Sequence, residues 1–342
     1  MKFLFTADIH LSRYAQDKVE ETSNLPERLH SIKETLYSMG DYCYDNDIEK
    51  FVIGGDLMHS KSIIYSIAQE LMFDFFEKYD ELQFWVIDGN HDLSGKGVNA
   101  ISSLRSIDAL QNVEWITEGP TNWLSGDQNI VSVPYSHDIV NQVKSNSGRI
   151  LISHFGLNEG VLNSGISITS DISLSDLRGK YELVLLGHYH KPQEIIQSDI
   201  KLYYVGSPIQ LDWGEKGDEK RFLVVDTDTL DVQSIPTTQY RKHIELSLTA
   251  ENKDEVFEAA REAKRDGNHV KIIQSEAVDL DDIKDDFLII DKREVDITNR
   301  GITSSMSQKD KLDKFLEIKE IPEKNHDLYL KHGIEIIESC EE

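Results

Sequence analysis

Five short apolar runs in the first 190 residues each finish in side chains able to bind a metal, and this repetition constrains the fold more than any other feature. The runs are "KFLFTA" (2–7), "KFVIGG" (50–55), "QFWVIDG" (83–89), "RILIS" (149–153) and "YELVLLG" (181–187). Each reads as a buried strand. Helix-like segments separate the first three, over 26–46 around "LHSIKETLYSMGDYC" and over 62–79 around "SIIYSIAQELMFDFFEKY". Alternation of this kind predicts βαβ units and a mostly parallel sheet. Two later runs, "LYYVGS" (202–207) and "RFLVVD" (221–226), follow closely and read as antiparallel. The expected fold is α/β, a two-sheet β-sandwich flanked by helices over residues 1–240.

The first run leads into Asp8 and His10, the second into Asp56 and His59, the third into Asn90, His91 and Asp92. The fourth leads into His154, and the fifth into His188 and His190. Side chains alternate along a strand, so Asp8 with His10, and His188 with His190, are expected to share a face. In open α/β sheets ligands bind in the crevice beyond the carboxyl ends of the strands. Six of the twelve histidines therefore converge on one edge. Singly each residue has an ordinary explanation, since an Asp after a strand commonly caps a turn. That explanation has to apply five times, always at the same strand end. Asp, Asn and His without Cys suit Mn²⁺, Fe²⁺ or Zn²⁺, and there are too many of them for a single structural zinc. Two divalent ions about 4 Å apart generate a hydroxide and stabilise an in-line transition state at phosphorus. The histidine pair 188 and 190 is then divided between two metals.

Lys and Arg number 36 against 62 Asp and Glu, a formal charge of −26 over 342 residues. This argues against a free-standing polyanion binder, because phosphate contacts depend on basic side chains. It leaves nucleic acid open as a substrate, since bound cations or a basic partner can supply the positive field. Cys43 and Cys340 form neither a metal motif nor a disulfide framework, which suits a reducing cytoplasm. No apolar run approaches the roughly 18 residues of a membrane span, and "MKFLFTADIH" turns polar too early for a signal peptide.

Beyond residue 240 the pattern changes. A small α+β unit is expected over 241–298, from "HIELSLT", a helix "DEVFEAAREAKRD", "HVKIIQS" and "DFLIIDKREVDI". A polar linker follows at 299–308, then a helical pair at 309–342 broken at Pro322. Leu312, Phe315 and Leu316 stripe the first helix; Leu330, Ile334 and Ile337 stripe the second. Such stripes cover either the chain's own core or a partner's groove.

The ordered set "ADIH", "GGDLMH", "GNHD", "SHFG", "GHYH" resembles the calcineurin-like metallophosphoesterase superfamily. Within it, the chain looks like the SbcD-type DNA nucleases, including the nuclease subunit of bacteriophage recombination complexes. Position 59 is His where protein phosphatases carry a GDxxDRG-like sequence, and "YYVGSPIQLDWGEKGDEKRFLVVD" (203–226) is similar to the nuclease family's segment. The likeness covers about residues 1–230. It implies one metal on Asp8, His10 and His190, another on Asn90, His154 and His188, and Asp56 bridging both. It further implies that His91 stabilises the phosphate or protonates the leaving 3′-oxygen, that Asp92 orients His91, and that His59 has a secondary catalytic role. Two divalent ions, Mn²⁺ foremost, would be the cofactors and DNA the substrate. An SbcC-like coiled-coil ATPase would dock on 309–338, with homodimerisation a further family trait and the cytoplasm (the host's, if phage-encoded) the location. The region after 243 is more compact than in longer members, and the absence of a P-loop sequence leaves any ATP dependence to a partner. A small-molecule phosphoesterase, such as a cyclic-nucleotide phosphodiesterase, would share all five ligand runs and is the competing expectation. A catalytically dead scaffold is the third, although no expected ligand is missing.

Overall fold

The structure, a computed structural model, describes residues 1–14, 17–20, 23–95, 97–124, 129–163, 165, 169–293, 306–319, 321–322 and 325–339. In chain order it runs β1 (Lys2–Thr6), α1 (Glu27–Asp45), β2 (Lys50–Ile53), α2 (Ser66–Lys78) and β3 (Gln83–Ile87), then a small ribbon of β4 (Leu93–Ser94) and β5 (Ile101–Ser102). After it come β6 (Val113–Ile116), β7 (Thr121–Leu124), β8 (Ile130–Val133), α3 (Ile139–Ser145), β9 (Ile150–His154), α4 (Leu174–Leu177) and β10 (Leu183–Gly187). The strands β11 (Gln193–Gln197), β12 (Ile200–Tyr204), β13 (Arg221–Asp226) and β14 (Val232–Pro236) complete two sheets.

The first sheet has the order β14-β13-β1-β2-β3-β6 and the second β11-β12-β10-β9-β8-β7. Each has a parallel centre and antiparallel additions. In the first, β1, β2, β3 and β6 are parallel, while β13 runs antiparallel to β1 and β14 to β13. In the second, β8, β9, β10 and β12 are parallel, with β7 and β11 antiparallel at the edges. Alternation of side chains explains how the sheets stack. Phe3, Phe5, Val52, Trp85 and Ile87 of the first sheet share a core with Ile150, Ile152, Leu183 and Leu185 of the second. The intervening Leu4, Phe51, Ile53, Phe84 and Val86 turn outward onto α1 and α2. Leu151, Val184 and Leu186 turn outward beneath α3 and α4. Strands buried on both faces must be apolar at every position, which is why these runs read continuously. The indoles of Trp85 and Trp123 stack between the sheets with centroids 4.4 Å apart. Helix α1 buries Leu29, Ile32, Leu36, Met39 and Cys43, a three-four spacing that keeps one stripe on the sheet. Burial also pushes the Cys43 thiol up to about 12, so it is an inert core residue. Cys340 lies outside the described residues.

Two expectations need correction. The run 202–207 is not simply antiparallel: β12 pairs in parallel with β10 and antiparallel only with β11. The second helix begins at Ser66, not 62. The Ser60 hydroxyl accepts the Ile63 N–H at 3.2 Å, a local turn that competes with helix formation.

By compactness the chain divides into Met1–Glu245 with Ala259–Lys271, and Leu246–Glu258 with Ile272–Glu342. The later elements are β15 (His243–Leu248), α5 (Lys253–Arg265), β16 (His269–Gln274) and β17 (Leu288–Asp291), the strands forming a three-stranded sheet in the order β15-β16-β17. Helices α6 (Gln308–Ile318) and α7 (His326–Ser339) follow. Residues 299–305 of the expected linker lie outside the described residues, as does the side chain of Ile337. Leu312 lies against Gly333, and Leu316 and Leu330 are buried, whereas Phe315, Ile318, Leu328 and Tyr329 are exposed. The leucines of the two stripes thus cover their own helix pair, while Phe315 of the first stripe is exposed together with Ile318, Leu328 and Tyr329. Among the described residues, no helix is long and apolar enough to cross a membrane.

Candidate metal centre

Adjacent parallel strands carry their C-terminal loops to the same edge. The loops after β1 and β2 stay zipped beyond the strands: Asp8 N–H donates to Gly55 O, His10 N–H to Asp56 O and Leu11 N–H to Leu57 O, at 2.8–3.0 Å. His59 N–H then donates back to Leu11 O at 3.1 Å. β3 lies beside β2 and delivers Asn90 to Asp92. In the second sheet His154, the last residue of β9, pairs in register with Gly187 at the end of β10, and His188 follows.

The expectation that paired ligands share a strand face fails, because the strands end first. β1 stops at Thr6 and β10 at Gly187. Asp8, His10, Asp56 and His188 have φ of 54°, 55°, 54° and 94°. A left-handed backbone is uncommon for residues other than Gly and costs about 1–3 kcal/mol at each position, so it persists where surrounding contacts enforce it. Here it re-aims side chains that a straight strand would send elsewhere. Room is also made by Gly89, where a Cβ would lie 2.1 Å from the Asp56 carboxylate.

The converging atoms form two overlapping sets. His10 Nε2 lies 3.0 Å from His190 Nε2 and 3.7 Å from Asp56 Oδ2. His154 Nε2 lies 3.3 Å from Asp56 Oδ2, 3.9 Å from Asp8 Oδ1 and 3.1 Å from Asn90 Oδ1, and His188 Nδ1 lies 2.9 Å from the same amide oxygen. Asp8, His10 and His190 form one group able to hold a cation, and Asp8, Asp56 and His154 another. Asp8 belongs to both groups, and Asp56 Oδ2 lies near a histidine of each, 3.7 Å from His10 Nε2 and 3.3 Å from His154 Nε2.

The donor chemistry fits divalent ions. Asp8, His10, Asp56 and His154 are buried. His154 Nδ1 faces the Gly54 carbonyl at 2.8 Å, so it carries the proton and leaves Nε2 toward the site. Burial pushes His188 down to about 4, helped by His154, and pushes His10 well down despite the Asp56 carboxylate. Both rings therefore offer lone pairs. Burial raises Asp8, although His154 and His190 draw it the other way. Burial would likewise raise Asp56, but His154, His10 and the His91 N–H hold it low. Burial opposes charge on His154 too, yet Asp56 and Asp8 push it up to about 9. No lysine or arginine among the described residues pairs with either aspartate; their ionic partners are His10 and His154.

The other expected residues ring this centre. His91 N–H donates to Asp56 Oδ1 at 2.7 Å, and its ring Nδ1 meets the His59 carbonyl at 2.8 Å. The rings of His59 and His91 stack at 5.4 Å, and His59 Nδ1 lies 3.3 Å from His10 Nδ1. The Asp92 carboxylate makes no hydrogen bond to the His91 ring, whose Nδ1 is engaged by His59. Its two oxygens accept the N–H groups of Met58 (2.9 Å) and Gly89 (2.8 Å), which pins the Asp56 loop to the turn before Asn90. Burial raises Asp92 well above the usual carboxylate range, with Asp56 and Asp88 adding to it.

Three residues beyond the sequence reading also matter. Tyr14 donates its hydroxyl to the His10 carbonyl at 3.1 Å and packs its ring 5.0 Å from that of His59. Glu215 Oε1 lies 2.8 Å from His190 Nδ1, and Lys220 lies 2.7 Å from Glu215 Oε2. Burial acts to raise Glu215, but the His190 bond and the Lys220 charge hold it down at about 2. Glu215 and Lys220 are two of eight charged residues in the 203–226 segment, and nothing in the sequence singles them out.

The family model "Calcineurin-like phosphoesterase" matches residues 1–192. The chain is 25% identical over 257 residues to exonuclease subunit 1 of Enterobacteria phage T4, covering 71% of this chain and 70% of that protein. Similar solved structures include a dimetal phosphatase from Danio rerio (10% identity, 69% of this chain, 99% of that one, TM-score 0.46). A novel archaeal phosphodiesterase is another (13% identity, 69% and 99%, TM-score 0.38).

Proposed function

Because the chain belongs to the calcineurin-like phosphoesterase family, whose members hydrolyse phosphoester bonds at a dimetal site, we propose that it is a Mn²⁺-dependent DNA exo/endonuclease. It would serve as the nuclease subunit of an SbcC/SbcD-like complex. The observation that carries the phosphodiesterase reading is the meeting of two carboxylates, an amide oxygen and four imidazoles from two sheets. The step from phosphoester to DNA is supported by the 203–226 segment and by the exonuclease-subunit relative. Asp8, His10 and His190 hold one ion, Asn90, His154 and His188 the other, and Asp56 reaches both. Bound there, two divalent ions supply Lewis acidity at the phosphate and lower the pKa of water.

The chain's own groups do the rest. The His59 carbonyl can only accept, so it keeps a proton on His91 Nδ1. Any proton that His91 delivers therefore leaves from Nε2, the nitrogen available to a phosphate oxygen or a leaving 3′-oxygen. His59, stacked on His91, keeps that ring in place. Positioned proton transfer of this kind contributes about 10²–10⁴-fold. With a net charge of −26, attraction of a polyanion falls to the bound cations and to a basic partner.

The purified chain with Mn²⁺ is expected to degrade single- or double-stranded DNA, to lose the activity to a chelator, and to lose roughly 10²–10⁴-fold on His91→Ala. Equal rates in wild type and variant would overturn the role of His91. Turnover of cyclic nucleotides with no DNA product would overturn the nuclease reading in favour of a small-molecule phosphoesterase.

A further inference from the structure

The segment that follows the histidine pair builds a pedestal under His190. We propose that Glu215 and Lys220 are positioning residues that keep the His190 proton on Nδ1 and so present Nε2 to a metal. The inference deepens the two-ion reading above and rests on it.

An ionised carboxylate can only accept hydrogen bonds, so the contact of 2.8 Å between Glu215 Oε1 and His190 Nδ1 requires the ring to carry its proton there. Nε2 faces the site, 3.0 Å from His10 Nε2. Among the described site histidines, His190 is the one whose Nδ1 meets a carboxylate. His154 and His91 use main-chain carbonyls instead, and His10 uses His59. A carboxylate partner raises the basicity of a ligating imidazole as well as orienting it.

The carboxylate is itself fixed. Glu215 Oε2 accepts Leu211 N–H at 3.1 Å and lies 2.9 Å from the Ser207 hydroxyl and 2.7 Å from Lys220 Nζ. The Lys220 side chain is fully buried, and a buried ammonium is costly unless it is paired and hydrogen-bonded. Its three N–H groups have three acceptors: Glu215 Oε2, Ser207 Oγ at 3.0 Å and the His190 carbonyl at 2.9 Å. Lys220 therefore holds both the carboxylate behind the imidazole and the main chain of the same histidine. Gly206 and Ser207 complete the arrangement. Ser207 N–H donates to His190 O at 3.1 Å, and Gly206, at φ +80°, passes where a Cβ would lie 2.7 Å from that oxygen. The Gly-Ser-Pro turn and the Glu and Lys further on, separated in sequence, act together on one ring.

Glu215→Gln tests this with little change of shape. The amide oxygen takes the Oε2 place, where three donors converge, and its NH₂ then faces His190. Nδ1 must accept, and the proton moves to Nε2. In the metal-free wild-type protein, ¹⁵N imidazole spectra are expected to show His190 protonated at Nδ1, and in Glu215→Gln at Nε2. Calorimetric titration with Mn²⁺ should show roughly 10–100-fold weaker binding of one ion, and Glu215→Asp should recover part of it. A wild-type His190 protonated at Nε2, or an unchanged tautomer and Mn²⁺ affinity in Glu215→Gln, overturns the proposal. Because the tautomer is read without metal, a wild-type chain that keeps the proton on Nδ1 yet binds no Mn²⁺ would remove the two-ion reading and leave the Glu215 assignment standing.

Discussion

Asp92 illustrates why residue identity and residue role come apart. Its place beside His91 invites a partnership between the two side chains, yet both of its oxygens are taken by main-chain N–H groups. Asp92→Asn would turn an NH₂ toward one of those donors and leave it without an acceptor. The expected loss is about 1–3 kcal/mol, read as a lower denaturant midpoint of the metal-free protein, with unchanged stability as the outcome that refutes it. The ligand types themselves were legible because the chemistry demands them: imidazoles, carboxylates and an amide repeated at strand ends leave few other uses. Less legible was the left-handed backbone at Asp8, His10, Asp56 and His188, which no side-chain type announces. Nor does a lysine in a sequence signal that it is fully buried, as Lys220 is.

At the scale of elements, β1, β2, β3, β9 and β10 could be read because they are covered on both sides and so are apolar, whereas β8, equally buried but four residues long and carrying Ser132, could not. Strands β11 and β14 could not, since both lie at sheet edges with several exposed positions. The parallel pairing of β12 with β10 depends on a neighbour about 20 residues earlier rather than on local pattern. The aromatic knot on the outer face of the first sheet makes a second prediction. Phe84 of β3 is fully buried, with ring centroids 4.8 Å from Phe76 and 5.4 Å from Phe75 of α2. Phe84→Ala is expected to cost about 3–5 kcal/mol, measured by chemical denaturation. A cost below about 1 kcal/mol would show that α2 does not depend on this contact.

For the molecule as a whole, the helix pair bears on partnership. α6 and α7 bury Leu316 and Leu330 and leave Phe315, Ile318, Leu328 and Tyr329 exposed. If an SbcC-like ATPase docks there, the double variant Phe315→Asp with Tyr329→Asp should abolish co-purification with it while Mn²⁺-dependent hydrolysis survives. Retained binding would move the interface elsewhere. The sequence showed the two stripes but not which face each would keep, because helix-to-helix packing decides that.

His10 and His190 meet although 180 positions separate them along the chain, and the two sheets supply the centre jointly. A nascent chain that has passed β3 and its loop but not β9 has Asp8, Asp56 and Asn90 but none of the imidazoles of residues 154, 188 and 190. Such a chain lacks the side chains that the second sheet brings to the edge. The group formed by Asp8, His10 and His190 is therefore complete only once synthesis has passed residue 190 and the two sheets have come together.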